Sequence, residues 1–280
     1  MKSICIWVIL FLGVNANAQE DPYPVILSDQ LKEISGLELI GDSLLVAHND
    51  GGSEPCLYLL DLDGNQQKKV FVTGGDNEDW EDLAIDSTYL YIGDIGNNRN
   101  ERRSVNILKV PIRSLLDKDT VKAEQITVRY AEQFEFPPAK SEMRFDAEGL
   151  VAYDDSLLLF TKDRSFPMDG MAWVYKIPKT PGEYRVEKKY RIYIGKAGFW
   201  KDAITAADVF EDTFYIMTYD RILVRTLKNG VFTGDKEIRF RKLKQREAIV
   251  VKQEGDIFVG SEGQVLLGQQ EIDRIGNGGN

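Results

Sequence analysis

Short apolar runs recur along the chain with a period of two or with no polar break, among them SLLVAHN, TYLYIGD, SVNILKV, SLLLFTK, AWVYKIP, TFYIMTY, RILVRTL and DIFVGSE. Such runs predict strands, and the turn clusters Leu62-Asp63-Gly64-Asn65 and Lys228-Asn229-Gly230 punctuate them. One short stretch, residues 112 to 118, predicts a helix. Many short strands without helical crossovers imply a sandwich, a barrel or a propeller.

Internal repetition selects among these. ISGLELIGDSLLVAHND (34 to 50) aligns without a gap on AEGLVAYDDSLLLFTKD (147 to 163), and ITAADVFEDTFYIMTYD (204 to 220) and REAIVVKQEGDIFVGSE (246 to 262) fit the same frame. WEDLAIDSTYLYIGDI (80 to 95) is a fifth copy with a turn one residue shorter. Copies spaced about 40 to 70 residues apart suit one propeller blade each, so the fold expected is all-β, a five-bladed β-propeller of four-stranded antiparallel blades. The helix and the strand QITVRYAE take up the extra length of the second blade, and PYPVIL closes the ring against the last.

Each copy reads as a hairpin, so its first and last positions lie side by side at one end of two paired strands. In a propeller the first strand lines the axis. The first positions, Ser35, Glu81, Glu148, Thr205 and Glu247, therefore converge on one ring. The last positions, Asp50, Asp163, Asp220 and Glu262, with Asp94 nearby in the short copy, form a second acidic ring outside it. The stretch GDNEDWEDLAID, six carboxylates in twelve residues, is one sector of this acidic funnel.

Facing carboxylates at roughly 5 Å and an effective dielectric of about 20 repel by around 3 kcal/mol per pair. A cation removes that repulsion. With one histidine and two cysteines in the whole chain, a nitrogen and sulfur site is excluded, whereas all-oxygen ligation fits Ca²⁺, with Mg²⁺ as the alternative. The plainer alternative makes the glutamates pegs that hydrogen-bond backbone amides of neighbouring blades.

A formal charge of −10 argues against nucleic acid and anionic membrane surfaces. The first eighteen residues, with Lys2, an apolar stretch from Cys5 to Val14 and the small-x-small triplet Ala16-Asn17-Ala18, read as a secretory signal, which leaves residues 19 to 280 as a single domain. A secreted or periplasmic protein is expected, with Cys56 its sole mature cysteine and no internal disulfide. The expected partner is a small-molecule or extracellular ligand at the funnel, with no nucleic acid, no membrane insertion and a monomeric chain.

The order Ser35 in ISGL, Glu81 in DWEDL, Glu148 in AEGL, Thr205 in ITAAD and Glu247 in REAI resembles that of the calcium-activated nucleotidases, the apyrases of blood-feeding arthropods and their vertebrate relatives. The resemblance implies a Ca²⁺ at the centre of the ring. DWEDLA, YIGDIGNN and ITAAD are more closely similar to a set of exported bacterial propellers of unassigned activity. Where the nucleotidases carry an Asp-Asp-Arg-Thr-Gly segment that engages phosphates, this chain has Asn49-Asp50-Gly51-Gly52, so calcium carries over better than nucleotide hydrolysis.

Three functions fit. In a calcium-dependent hydrolase of a phosphoanhydride, phosphoester or lactone, the catalytic candidates are the funnel carboxylates Asp50, Asp94 and Asp163 and the cation Arg164, the carboxylates for proton transfer and the arginine against developing charge. A binding or scaffold propeller would use the ion structurally, and a glycosidase would need two free carboxylates about 5 to 9 Å apart. His48 is either an acid or base or a packing residue. Arg99, Arg102, Arg103 and Arg221 either hold an anion or pair with the funnel, KEIRFRKLKQR alternates like an edge strand, and GDIGNNRNE is a turn.

Overall fold

The computed structural model describes residues 16–17, 19–20, 24–263 and 269–276. Five sheets stand around one axis, each built outward from an inner strand. The first blade runs Ile34–Ile40, Leu44–Asn49, Cys56–Leu60 and Gln66–Thr73, and the second Trp80–Ile85, Tyr89–Asp94, Val105–Pro111 and Glu124–Tyr130. The third consists of Asp146–Tyr153, Ser156–Lys162, Met171–Pro178 and Lys188–Tyr193, and the fourth of Ile204–Phe210, Thr213–Thr218, Arg221–Lys228 and Glu237–Arg239. The five inner strands pack on one another in a closed cycle, the last, Arg246–Gln253, against the first, Ile34–Ile40.

The fifth blade continues with Asp256–Ser261 and Glu271–Gly276, and its outer edge comes from the other end of the chain: Val25–Ile26 and Gln19–Glu20 pair antiparallel with Glu271–Gly276. Val25 and Ile26 of PYPVIL thus close the ring against the last blade as expected, and its first two residues lie outside the described residues. The helix of the second blade spans Ile112–Asp117, after which Thr120–Lys122 pairs back on Gln66–Thr73. Of the predicted signal segment only Ala16–Asn17 is described, beside Glu237–Arg239; the rest lies outside the described residues. Among the described residues no helix is long and apolar enough to cross a membrane.

Strands such as Ser156–Lys162 are apolar on both faces because each blade is sandwiched between two others. Leu157 and Leu159 join the core against the second blade, while Leu158 and Phe160 join the core against the fourth. Five such clusters fill the five clefts between blades. At about 25 cal/mol per Å² of apolar surface, this layered burial is the main force holding the ring. The tight hairpins that start the third and fourth blades turn through Asp154 and Glu211 at φ 50° and 54°.

Two buried aspartates pin the inner strands together. Asp82 accepts the backbone N–H groups of Leu83 at 2.9 Å, Leu150 at 2.8 Å and Ala207 at 3.2 Å, so it ties the second blade to the third and fourth. Asp208 accepts from Val209 and Val251 and ties the fourth to the fifth. The pegging role that the sequence offered to the ring glutamates is filled by these two residues, the aspartates of DWEDLA and ITAAD.

Candidate functional site

All five expected ring positions fall on irregularities of the same kind. The pairing of each inner strand with its neighbour shifts between Ile34 and Gly36, Trp80 and Asp82, Ala147 and Gly149, Ile204 and Ala206, and Arg246 and Ala248. The residue stepped over is Ser35, Glu81, Glu148, Thr205 or Glu247. A β-bulge leaves its extra residue out of the ladder and re-aims its side chain.

Four of the five, Ser35, Glu81, Glu148 and Glu247, line an axial cavity of about 180 Å³. Thr205 is buried but does not line it, and its Oγ1 has no partner among the described residues. Ser35 Oγ donates to the Glu81 carbonyl at 2.9 Å. Asp50, Asn98, Lys162, Arg164, Phe199, Tyr219 and Gln245 complete the wall.

The outer acids divide. Asp50 faces the cavity. Asp94 accepts two bonds from Arg102 at 3.0 and 3.2 Å, and Asp163 pairs with Arg144 at 3.2 Å and with Ser165, so both lie outside the cavity wall. Asp220 pairs with Arg239 at 3.0 Å. Glu262, bonded to Gln245, is buried and its carboxyl is pushed up to about 8 by burial and then by Glu247 and Asp50. The expected second ring is therefore broken up, with arginines of adjoining segments taking three of its members.

Other carboxylates take their place. Asp50, Asp79 and Glu81 bring one oxygen each within 4.8 Å of one another, and so do Glu81, Asp146 and Glu148. Burial raises Glu81 well above the carboxylate range, with Glu148, Asp50 and Asp79 adding to it, and Asp79 rises to about 6 from burial and from Asp50 and Asp146. Gly96 lets the backbone pass here, since a Cβ on it would collide with the Glu81 and Asp79 carboxylates.

Two cations stand among these carboxylates. Lys162 Nζ lies 2.9 Å from Glu148 Oε1 and 3.3 Å from the Tyr219 hydroxyl, which donates to Glu247 Oε1 at 2.8 Å. Arg164 bonds Asp146 and Asn98 and stands 3.5 Å from Glu148 Oε1. Burial acts against the Lys162 charge, but Glu148 and Glu247 outweigh it and hold the ammonium well above its usual range. Burial also raises Glu148 despite Lys162. Both partners hold protons more tightly than usual, which marks surplus negative charge. Asp50, Asp79, Glu81, Asp146, Glu148 and Glu247 outnumber Lys162 and Arg164 by four.

This donor set bears on calcium directly. Every side-chain donor of the two carboxylate groups is oxygen, and burial first, then the neighbouring carboxylates, raises the protonation of Asp79 and Glu81, while burial raises that of Asp50 against the nearby Lys162 charge. A hard divalent cation fits there, held by Asp50, Asp79 and Glu81 on one side with Asp146 and Glu148 behind.

His48 is fully buried, donates from Nδ1 to the Asn49 carbonyl at 2.9 Å, and meets Trp80 edge-on at 5.4 Å. Burial depresses it to about 4, so it is a neutral packing residue. Arg102 serves Asp94, Arg103 stacks on Phe136, and Arg221 pairs with Asp202. Asp79, Asp146, Lys162 and Tyr219 are not singled out by the sequence reading. Yet Asp79 and Asp146 stand two residues before ring positions, and Lys162 and Tyr219 one residue before the last acid of two copies.

No protein-family model and no curated protein matches the chain. Among solved structures, the glutaminyl cyclase of Myxococcus xanthus is similar with a TM-score of 0.56 at 14% identity, over 94% of this chain and 98% of that one. A putative oxidoreductase (glucose dehydrogenase) of Thermus thermophilus is similar with a TM-score of 0.51 at 10% identity, over 92% of this chain and 100% of that one. At these identities the likeness is one of fold, and the fold is a five-bladed propeller.

Proposed function

We propose that this chain is an exported calcium-binding propeller that hydrolyses a phosphoester or phosphoanhydride at the axial cavity. The observation that carries the reading is that one cavity of about 180 Å³ is lined both by Asp50 and Glu81, two members of an all-oxygen carboxylate group completed by Asp79, and by Lys162, Arg164 and Tyr219. The two cations favour a phosphoryl group over a neutral lactone. An anion enters only when the surplus of carboxylates is offset, which makes activity depend on the metal.

Bound at the carboxylate group, calcium supplies a Lewis acid. Arg164 and the Lys162 ammonium bind and orient the anionic head, and Tyr219 stays an un-ionised donor because burial holds its hydroxyl far above its usual range. Asp50, Asp79 and Glu81 would hold the ion, which would displace the protons that burial favours on them in the metal-free chain. The nucleotidase resemblance supports the calcium more than the hydrolysis, since this chain has Asn49-Asp50-Gly51-Gly52 where those proteins engage phosphates.

Metal analysis of the purified mature chain, with a panel of phosphoesters, phosphoanhydrides, lactones and glycosides assayed with and without EDTA, tests this. Calcium near one per chain and chelator-sensitive phosphate release are expected. Calcium without turnover on any substrate would leave a binding propeller, and glycoside cleavage insensitive to EDTA would replace the reading altogether.

A further inference from the structure

Beside Tyr219, a residue of the cavity lining, sits an exposed tryptophan on a closely braced loop. Trp200 is 56% exposed, yet the one-turn helix Phe199–Asp202 that carries it is fastened on every side. Asp202 accepts the N–H groups of Ala197 and Gly198, and the buried Arg221 guanidinium spans Asp202 at 2.9 Å, the Ile194 carbonyl at 2.6 Å and the Lys201 carbonyl at 2.7 Å. An arginine and an aspartate so deeply committed to one short loop fix where its aromatic residues stand.

Phe199 lines the cavity, and Trp200 adjoins it through Tyr219. Trp200 packs on Tyr219 with ring centres 5.0 Å apart, and Phe199 meets Trp200 edge-on at 6.0 Å. Phe199 and Tyr219 line the cavity, and the Lys162 and Arg164 charges lie 5.5 and 5.4 Å from the Phe199 ring. A volume of about 180 Å³ is below the roughly 300–1,000 Å³ of pockets that enclose whole small molecules. It admits a small polar head and leaves the body of a ligand outside, at the level of Trp200. A large aromatic face kept exposed and rigid at such a mouth has a ready use in stacking.

We infer that Trp200 and Phe199 form a stacking subsite for an aromatic ring, so that the ligand is an aryl-type compound whose oxyanion head enters the cavity. The inference rests on the funnel reading proposed above. The head is gripped by Arg164 and Lys162 while the ring lies on the Trp200 face, and the Asp202–Arg221 pair pre-sets that face so that little ordering is needed on binding.

Calorimetric titration of the calcium-loaded chain with phenylphosphonate and with methylphosphonate reads the two parts separately. Phenylphosphonate is expected to bind at least about tenfold more tightly, in keeping with stacking on a single side chain. Trp200→Ala should erase that preference, Trp200→Phe should keep most of it, and the melting temperature and calcium affinity of both variants should match the parent. Equal affinities, or a preference that survives Trp200→Ala, overturn the subsite while leaving the cation-dependent hydrolase intact. If neither phosphonate binds, the oxyanion reading of the funnel falls and takes the subsite with it.

Discussion

Lys162 Nζ lies 2.9 Å from Glu148 Oε1, with the two side chains only 4% and 3% exposed. This ammonium is the chain's own cation in a ring that sequence reasoning assigns wholly to a metal. Its place among Glu148, Glu247 and Tyr219 makes it a partial stand-in for divalent charge, while among the described residues no ion pair is made by Asp50, Asp79 or Glu81.

Lys162→Met should therefore destabilise the metal-free chain by about 3–5 kcal/mol, the usual loss when one partner of a buried ion pair is removed. With saturating calcium the loss should shrink, because a second cation then offsets the same carboxylates. Urea unfolding of parent and variant in EDTA and in calcium checks this, and an equal loss in both would show the two cations to be independent.

Chelation should lower the melting temperature of the parent by several degrees. Free calcium at a hundred times its dissociation constant contributes about 2.7 kcal/mol, and about 2–4 °C accompanies each kcal/mol in chains somewhat smaller than this one. Glu81→Gln should abolish the response, since Glu81 belongs to both carboxylate groups. Asp163→Asn should leave it intact, since Asp163 is committed to Arg144 and Ser165. Differential scanning fluorimetry with and without EDTA decides between these outcomes.

Asp82→Ala should cost about 3 kcal/mol or more, because three buried backbone N–H groups lose their acceptor at about 1–3 kcal/mol each. Asp82→Asn, which keeps an acceptor oxygen, should lose less. Calcium stoichiometry should be unchanged in any folded variant, as Asp82 is outside both carboxylate groups. Denaturant midpoints and metal analysis together test it.

In EDTA, stability should fall as pH rises from about 4 to 8. Burial raises Asp208 to about 7 from an unfolded value of 3.8, and Glu262 to about 8 from 4.5. Within those windows the folded state holds protons that the unfolded state has released, so unfolding becomes easier with each step in pH. Below the unfolded values both states are protonated and the contribution is complete; above the folded values it is gone. Asp208→Asn should flatten the slope between about pH 4 and 7, measured by unfolding at half-unit intervals.

The fold was legible because geometry leaves a mark on every blade. A strand packed between two neighbours must be apolar on both faces, which produced runs like SLLLFTK, and an axial bulge in each inner strand kept Ser35, Glu81, Glu148, Thr205 and Glu247 in one frame. The fate of the outer acids was not legible. Whether Asp163 faces the axis depends on Arg144, which reaches it from the loop ahead of the same blade, and Asp94 is captured by Arg102 in the same way. Asp79 and Asp146 were harder to read: each stands two residues before a ring position, but the bulge at that position breaks the period of two, and Asp79 precedes the strand Trp80–Ile85 altogether.

The strand Val25–Ile26 has its partner at Glu271–Ile272, some 245 residues later. The early segment waits until the last blade forms: a chain lacking Glu271–Gly276 can pack Arg246–Gln253 on Ile34–Ile40, but leaves Asp256–Ser261 without its outer neighbour and Val25–Ile26 without a partner. Blades can form one after another, but the closing step joins segments some 245 residues apart in the chain. A mutation that frays Glu271–Gly276 would therefore act less like a local defect than like an unfastened clasp, prolonging the life of a sticky, half-built molecule whose finished blades are sound.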